Sequence, residues 1–85
     1  VSLKLYLISC DLLFPGGDYA SLKEKLRTLG ASQTLESQWA LRSNYTAAEL
    51  KDIVGGFLDR HDGVTVTEVG EERASRRAKS DLTRL

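Results

Sequence analysis

Residues 3–10, Leu-Lys-Leu-Tyr-Leu-Ile-Ser-Cys, carry apolar side chains on both parities of an extended chain. A strand with one buried face alternates apolar and polar residues. One that is apolar on both parities suits the middle of a sheet, covered on both faces or at least flanked by a strand on each side. The run stops at Asp11, and Pro15-Gly16-Gly17 then breaks regular structure. With 85 residues in all, the remaining elements have to be arranged around this strand in one domain. A domain of this size buries only about 60–65% of its unfolded surface. It has little interior in which to enclose a substrate, so a functional site is expected on an edge or between two copies of the chain.

The segments that follow read in order. Asp18 suits a helix N-cap, and Tyr19, Leu22, Leu26 and Leu29 recur at the three- and four-residue spacing of an amphipathic helix. Gly30 is placed to close it in the left-handed conformation. From residue 31 to 43 the period changes to two, with Leu35, Ser37, Trp39 and Leu41 on one parity. That pattern fits one long bent strand or two short strands with a tight turn near residues 36–38. Thr46-Ala47-Ala48-Glu49 is a capping box. It opens a second helix with Ala47, Leu50, Ile53, Val54, Phe57 and Leu58 on one face. Gly55-Gly56 is expected inside that helix, either for close packing on the sheet or as a flexible end needed for function. His61-Asp62-Gly63 makes a turn, and residues 64–69, Val-Thr-Val-Thr-Glu-Val, are a β-branched strand.

Strand, helix, strand, strand, helix, strand is the order of a ferredoxin-like α+β sandwich. Its βαββαβ chain makes a four-stranded antiparallel sheet with both helices on one face. Residues 1–70 form that domain, and 71–85 are a basic C-terminal tail, helical or disordered. The opposite sheet face is then bare, and Leu, Ile or Trp side chains on it would favour a homodimer.

Charge and cysteine content narrow the function. Twelve basic side chains balance twelve acidic ones, which argues against a binder driven by bulk positive charge. The balance is a cancellation: residues 1–70 hold seven basic and nine acidic groups, net −2, and 71–85 hold five and three, net +2. If the tail were helical, Arg73, Arg76, Arg77 and Arg84 would cluster on one side, suited to the phosphates of RNA or DNA. A frayed, solvated terminus is the competing reading. One cysteine excludes an internal disulfide. No apolar run is long enough for a bilayer and no targeting segment is visible, so a cytoplasmic protein without membrane contact is expected.

Strong catalytic motifs are absent from the sequence: it has no phosphate-cradling loop, no Cys–His metal spacing and no nucleophile elbow. Cys10 reads as a small buried hydrophobe and His61 as a solvated turn residue. Asp11 is the candidate catalytic residue and metal ligand, because the end of a central strand can present a side chain to a ligand. Capping its own turn is the alternative. Two Asp11 carboxylates meeting across a dimer axis could hold one magnesium or manganese ion and activate water against a phosphodiester. Trp39 and Tyr45 are candidate anchors for a protein partner, with core packing the competing place for Trp39.

Leu7-Ile8-Ser9-Cys10-Asp11-Leu12 resembles the strand-ending motif of the CRISPR-associated Cas-two family and its VapD-type toxin relatives. Tyr6 to Ser9, Asp11-Leu12, Pro15-Gly16 and Asp18-Tyr19 are more similar still to small solitary relatives often labelled SinR-like, as is Leu35-Glu36-Ser37 followed by Trp39. The resemblance implies a ferredoxin-like homodimer with Asp11 at or near the two-fold axis. For some members it implies metal-dependent nuclease activity with the matching Asp as ligand. In CRISPR systems the Cas-two subunit instead bridges integrase subunits on DNA. This chain has Cys10 where a Tyr commonly precedes the Asp, and Ser37-Gln38-Trp39 where Ser-Val-Phe is usual. The second departure points away from spacer acquisition and toward a solitary relative. The expected function is nucleic-acid binding by a homodimer, with endoribonuclease activity as its catalytic form. The rival is a non-enzymatic protein-interaction module of a defence or toxin–antitoxin system.

Overall fold

A computed structural model of the chain describes residues 3–11, 19–58, 61–70 and 79. The strands and helices are β1 (Lys4–Asp11), α1 (Ala20–Thr28), β2 (Ser32–Leu35), β3 (Gln38–Ser43), α2 (Ala47–Gly55) and β4 (Gly63–Glu68). They form one four-stranded sheet in the order β2-β3-β1-β4, with every neighbouring pair antiparallel. This is the ferredoxin-like α+β arrangement. The doubly apolar β1 lies between β3 and β4, as its composition requires. The proposed Asp18 cap, the Pro15-Gly16-Gly17 break and the tail arginines Arg73, Arg76, Arg77 and Arg84 lie outside the described residues.

Pairing register divides the side chains between the two faces. Tyr6 faces Leu41 and Ile8 faces Trp39 across the β1–β3 ladder, while Ile8 faces Val66 and Cys10 faces Val64 across β1–β4. Residues opposite one another share a face. Tyr6, Ile8, Trp39 and Leu41 accordingly join Leu22 and Leu26 of α1 and Leu50 and Val54 of α2 in one buried core. Cys10, Val64 and Val66 pack against it. The other face carries Leu5, Leu7, Ser9 and Asp11 from β1, with Gln38, Ala40, Arg42, Thr65 and Thr67 from its neighbours. The expectation of Ile or Trp on that face is corrected here, since both belong to the helix side. Of the three residue types, leucine is the one found there among the described residues, and Leu5 is buried, as is Ala40.

Of the two alternatives for residues 31–43, the two short strands form: β2 and β3 are joined at Glu36-Ser37, and a register shift lies between Gln33 and Leu35. Such an irregularity breaks the simple alternation of faces. Thr34 is therefore buried, with its hydroxyl donating to the Gln38 carbonyl at 3.2 Å, and Leu35 is 46% exposed. At α1 the N-cap is Tyr19, without a side-chain cap bond, while Gly30 closes the helix at φ 91° as expected.

At α2 the capping box forms in full: Thr46 Oγ1 accepts from Glu49 N–H at 3.1 Å, and Glu49 Oε1 accepts from Thr46 N–H at 3.0 Å. Gly55 is the last helical residue and Gly56 the C-cap, so the glycine pair ends the helix instead of lying within it. Neither packs closely on the sheet. A Cβ at Gly55 would meet nothing within 4 Å, and one at Gly56 would meet only backbone carbonyls, the nearest at 3.4 Å.

These placements make two stability changes of opposite sign within one helix. Thr46→Ala is expected to cost about 1 kcal/mol in urea unfolding, by orphaning a first-turn amide. Gly55→Ala is expected to add about 0.5–1 kcal/mol, since helical backbone at an open site gains from a side chain that restricts the unfolded state. A loss of stability in Gly55→Ala would restore the close-packing reading.

Candidate metal and nucleic-acid site

β1 ends at Asp11, and its pairing explains why that carboxylate is presented outward. Cys10 N–H donates to the Ser37 carbonyl at 2.9 Å on one side, and Asp11 pairs with Gly63 on the other. The strand is thus held on both flanks as far as Cys10 and on the β4 side at Asp11. Asp11 shares the parity of Leu5, Leu7 and Ser9, so it belongs to the face opposite α1 and α2, and it is exposed. Gly63 opposite has no side chain, and a Cβ there would come within 3.6 Å of Asp11 Cβ, ordinary contact distance. Glycine at 63 therefore leaves the β4 side of the carboxylate open.

Asp62, next to Gly63, turns the other way. Its carboxylate accepts from the Tyr19 hydroxyl, the nearer oxygen at 3.3 Å, long for an O–H···O bond. Tyr19 packs against the helix-side core. Burial pushes the Cys10 thiol up, and the negative charge of Asp62 pushes it further in the same direction. Cys10 is a packed, poorly ionised thiol in this setting. Asp62, by sequence no more than a turn residue, is thus a negative charge at the end of the helix-side core. Asp11 is a negative charge on the opposite face.

The donor set bears on whether a metal fits. Among the described residues no group of three or more His, Cys, Asp or Glu side chains is placed to hold an ion. Magnesium and manganese favour about six oxygen ligands, of which one carboxylate supplies only one or two. Asp11 is the right chemical type, a hard and accessible oxygen donor. It suffices only where water, a phosphate oxygen or the Asp11 of a second copy completes the set.

The other candidates separate. Trp39 is 5% exposed and stands in the core beside Ile8. As an anchor for a partner it is corrected: an indole enclosed by the helix-side core presents no surface. Tyr45 is 41% exposed in the link between β3 and α2, where its N–H donates to Ser43 Oγ at 2.9 Å. Lys4 pairs with Ser43, so Tyr45 follows the end of β3 that lies beside the start of β1. Asp11 stands at the far end of β1, about 23 Å away along the strand at 3.3 Å per residue. These two candidates do not form one site. Phe57, assigned by periodicity to the core face of α2, is 40% exposed because the helix has already stopped.

No protein-family model matches the chain, and no solved structure matches it. Among the described residues no helix is long and apolar enough to cross a membrane.

The raised thiol can be checked directly. Raising the pKa lowers the thiolate fraction at any given pH, so iodoacetamide should alkylate Cys10 more slowly in the folded protein than in the urea-unfolded chain. Asp62→Asn should recover part of that difference, because its charge is the smaller of the two causes. Equal folded and unfolded rates, read by mass spectrometry, would contradict the assignment.

Proposed function

We propose that the chain is a homodimeric nucleic-acid-binding protein in which Asp11 is a metal ligand, and that it acts as a metal-dependent endoribonuclease. The observation that carries this reading is the placement of Asp11. It is an exposed carboxylate at the end of the central strand, on the face opposite α1 and α2, with a glycine as its β4 pairing partner. The similarity of residues 6–12 to the Cas-two and VapD-type motif supports the same role for it. A second copy is one way to complete the ligand set: among the described residues one chain gathers no group of three or more ligands there, and a two-fold axis doubles the Asp11 oxygens.

Asp11 would hold the magnesium or manganese ion, which when bound would supply a water of lowered pKa for attack on a phosphodiester. The chain's own contribution is to fix the backbone from which the Asp11 carboxylate projects, through the pairing of Cys10 with Ser37 and of Asp11 with Gly63. The arginine-rich residues 71–85, net +2, would supply sequence-independent phosphate contacts.

The test is cleavage of a mixed RNA pool at low salt with added magnesium or manganese. Cleavage is expected to depend on the ion, to stop with EDTA, and to fall at least about 100-fold in Asp11→Asn, as removal of a direct catalytic group does. Asp11→Asn should keep the wild-type circular dichroism and urea midpoint. Substituting Arg76 and Arg77 together by Ala should flatten the salt dependence of RNA affinity. The log–log slope should fall by about 0.7 for each single-strand phosphate that is no longer neutralised. Absence of both metal-dependent cleavage and low-salt binding would overturn the proposal.

Exposure of Tyr45, a strand's length from Asp11, favours a second reading. In it the chain is a non-enzymatic interaction module of a defence or toxin–antitoxin system, with Tyr45 as the anchor. Retention of one protein partner that is lost in Tyr45→Ala, without nuclease activity, would select it.

A further inference from the structure

Among the described residues β2 is an edge strand, with β3 as its one neighbour in the sheet. The outward backbone groups of an edge strand are a template on which another chain can add a strand. At Thr34 that template is already engaged. Lys79 N–H donates to the Thr34 carbonyl at 2.6 Å, and Lys79 Nζ lies 3.0 Å from Glu36 Oε2. One residue thus grips the edge twice, through its main chain and through its side chain, across more than forty residues of sequence. The acceptor end of the grip is stiff. Gln33 Nε2 donates to the Glu36 carbonyl at 3.0 Å, and Ser37 of the same turn accepts from Cys10 N–H at 2.9 Å. The Lys79 hydrogen bond and charge hold the Glu36 carboxyl below its ordinary range, with Lys23 adding a smaller pull.

We propose that the Thr34–Glu36 segment is a strand-acceptor site occupied by this chain's own Lys79, and that this clasp keeps the β2 edge from pairing with a second copy of the chain. The bidentate contact fits that role. The main-chain bond takes up the carbonyl that an added strand would use, and the ammonium places a positive charge on the edge, a recurrent device against edge-to-edge pairing. The ion pair is exposed at both ends, so the clasp is weak enough to open. An opened β2 then offers its edge to strand addition. The clasp involves neither Asp11 nor a metal, so it stands or falls separately from the nuclease reading.

Amide hydrogen exchange at Lys79 in the full chain is the primary test. The amide is expected to exchange more slowly than in the urea-unfolded chain, with protection independent of protein concentration. An unprotected amide, or protection that fades on dilution and so comes from another copy, overturns the clasp. Glu36→Lys is expected to speed exchange at Lys79 about two- to fivefold, the range an exposed ion pair commands, and Lys79→Glu added to it should bring the rate back. No change in Glu36→Lys overturns the ionic half of the grip. Lys79→Pro, which deletes the donor, should raise the mass seen by light scattering above that of the wild type at equal concentration. An unchanged mass in a variant that keeps the wild-type circular dichroism overturns the guarding role. Should Lys79→Pro not fold, the Glu36→Lys and Lys79→Glu pair is read by the same light scattering and decides it.

Discussion

The rest of the molecule depends on β1 being paired on both sides. Its residues contact β3 and β4 across two antiparallel ladders, and its alternate side chains supply both faces of the sheet. Tyr6 and Ile8 fill the helix-side core, while Leu5, Leu7, Ser9 and Asp11 form the spine of the opposite face. A strand satisfied on both edges cannot slip by one residue without exchanging those sets, which would expose Ile8 and bury Asp11. The register that makes the core is therefore the register that presents the carboxylate.

The two ends of β1 serve different purposes. At its start the link from β3 to α2 carries exposed Tyr45 and the capping box. At its finish the Glu36-Ser37 turn, Gly63 and Asp62 gather around Cys10 and Asp11. The turn is a shared element. Its Ser37 carbonyl ties it to the residue before Asp11, and its Glu36 carboxylate ties it to Lys79. The metal-ion chemistry proposed at Asp11 and the edge protection proposed at β2 would thus lean on one short piece of chain, although they use different residues of it.

Element order, the central place of β1 and the Thr46–Glu49 box were legible because each is written in local pattern: parity, three-four spacing, or a fixed offset between a hydroxyl and a carboxylate. The errors have the same root. Period two from residue 31 to 43 put Leu35 with Trp39 on one parity, and the irregularity beside Leu35 broke that parity and buried Thr34 instead. Helical spacing carried Phe57 into the core face, yet Gly55 and Gly56 had already ended the helix. Nothing in a pattern of apolar residues says where a strand shifts its register or where a helix gives way.

For the candidate site, the sequence alone was enough to single out Asp11, because a polar residue closing a doubly apolar run falls at the end of a central strand. It could not say which face Asp11 would take, that a glycine would stand opposite, or that Asp62 would turn to Tyr19 on the other side. Nor could it bring Lys79 to Thr34 and Glu36. Those facts follow from pairing between segments far apart in the chain, and such pairing is selected by the burial of the whole core and not by any local preference. Local chemistry decided which residues could act, and the tertiary register decided which of them meet.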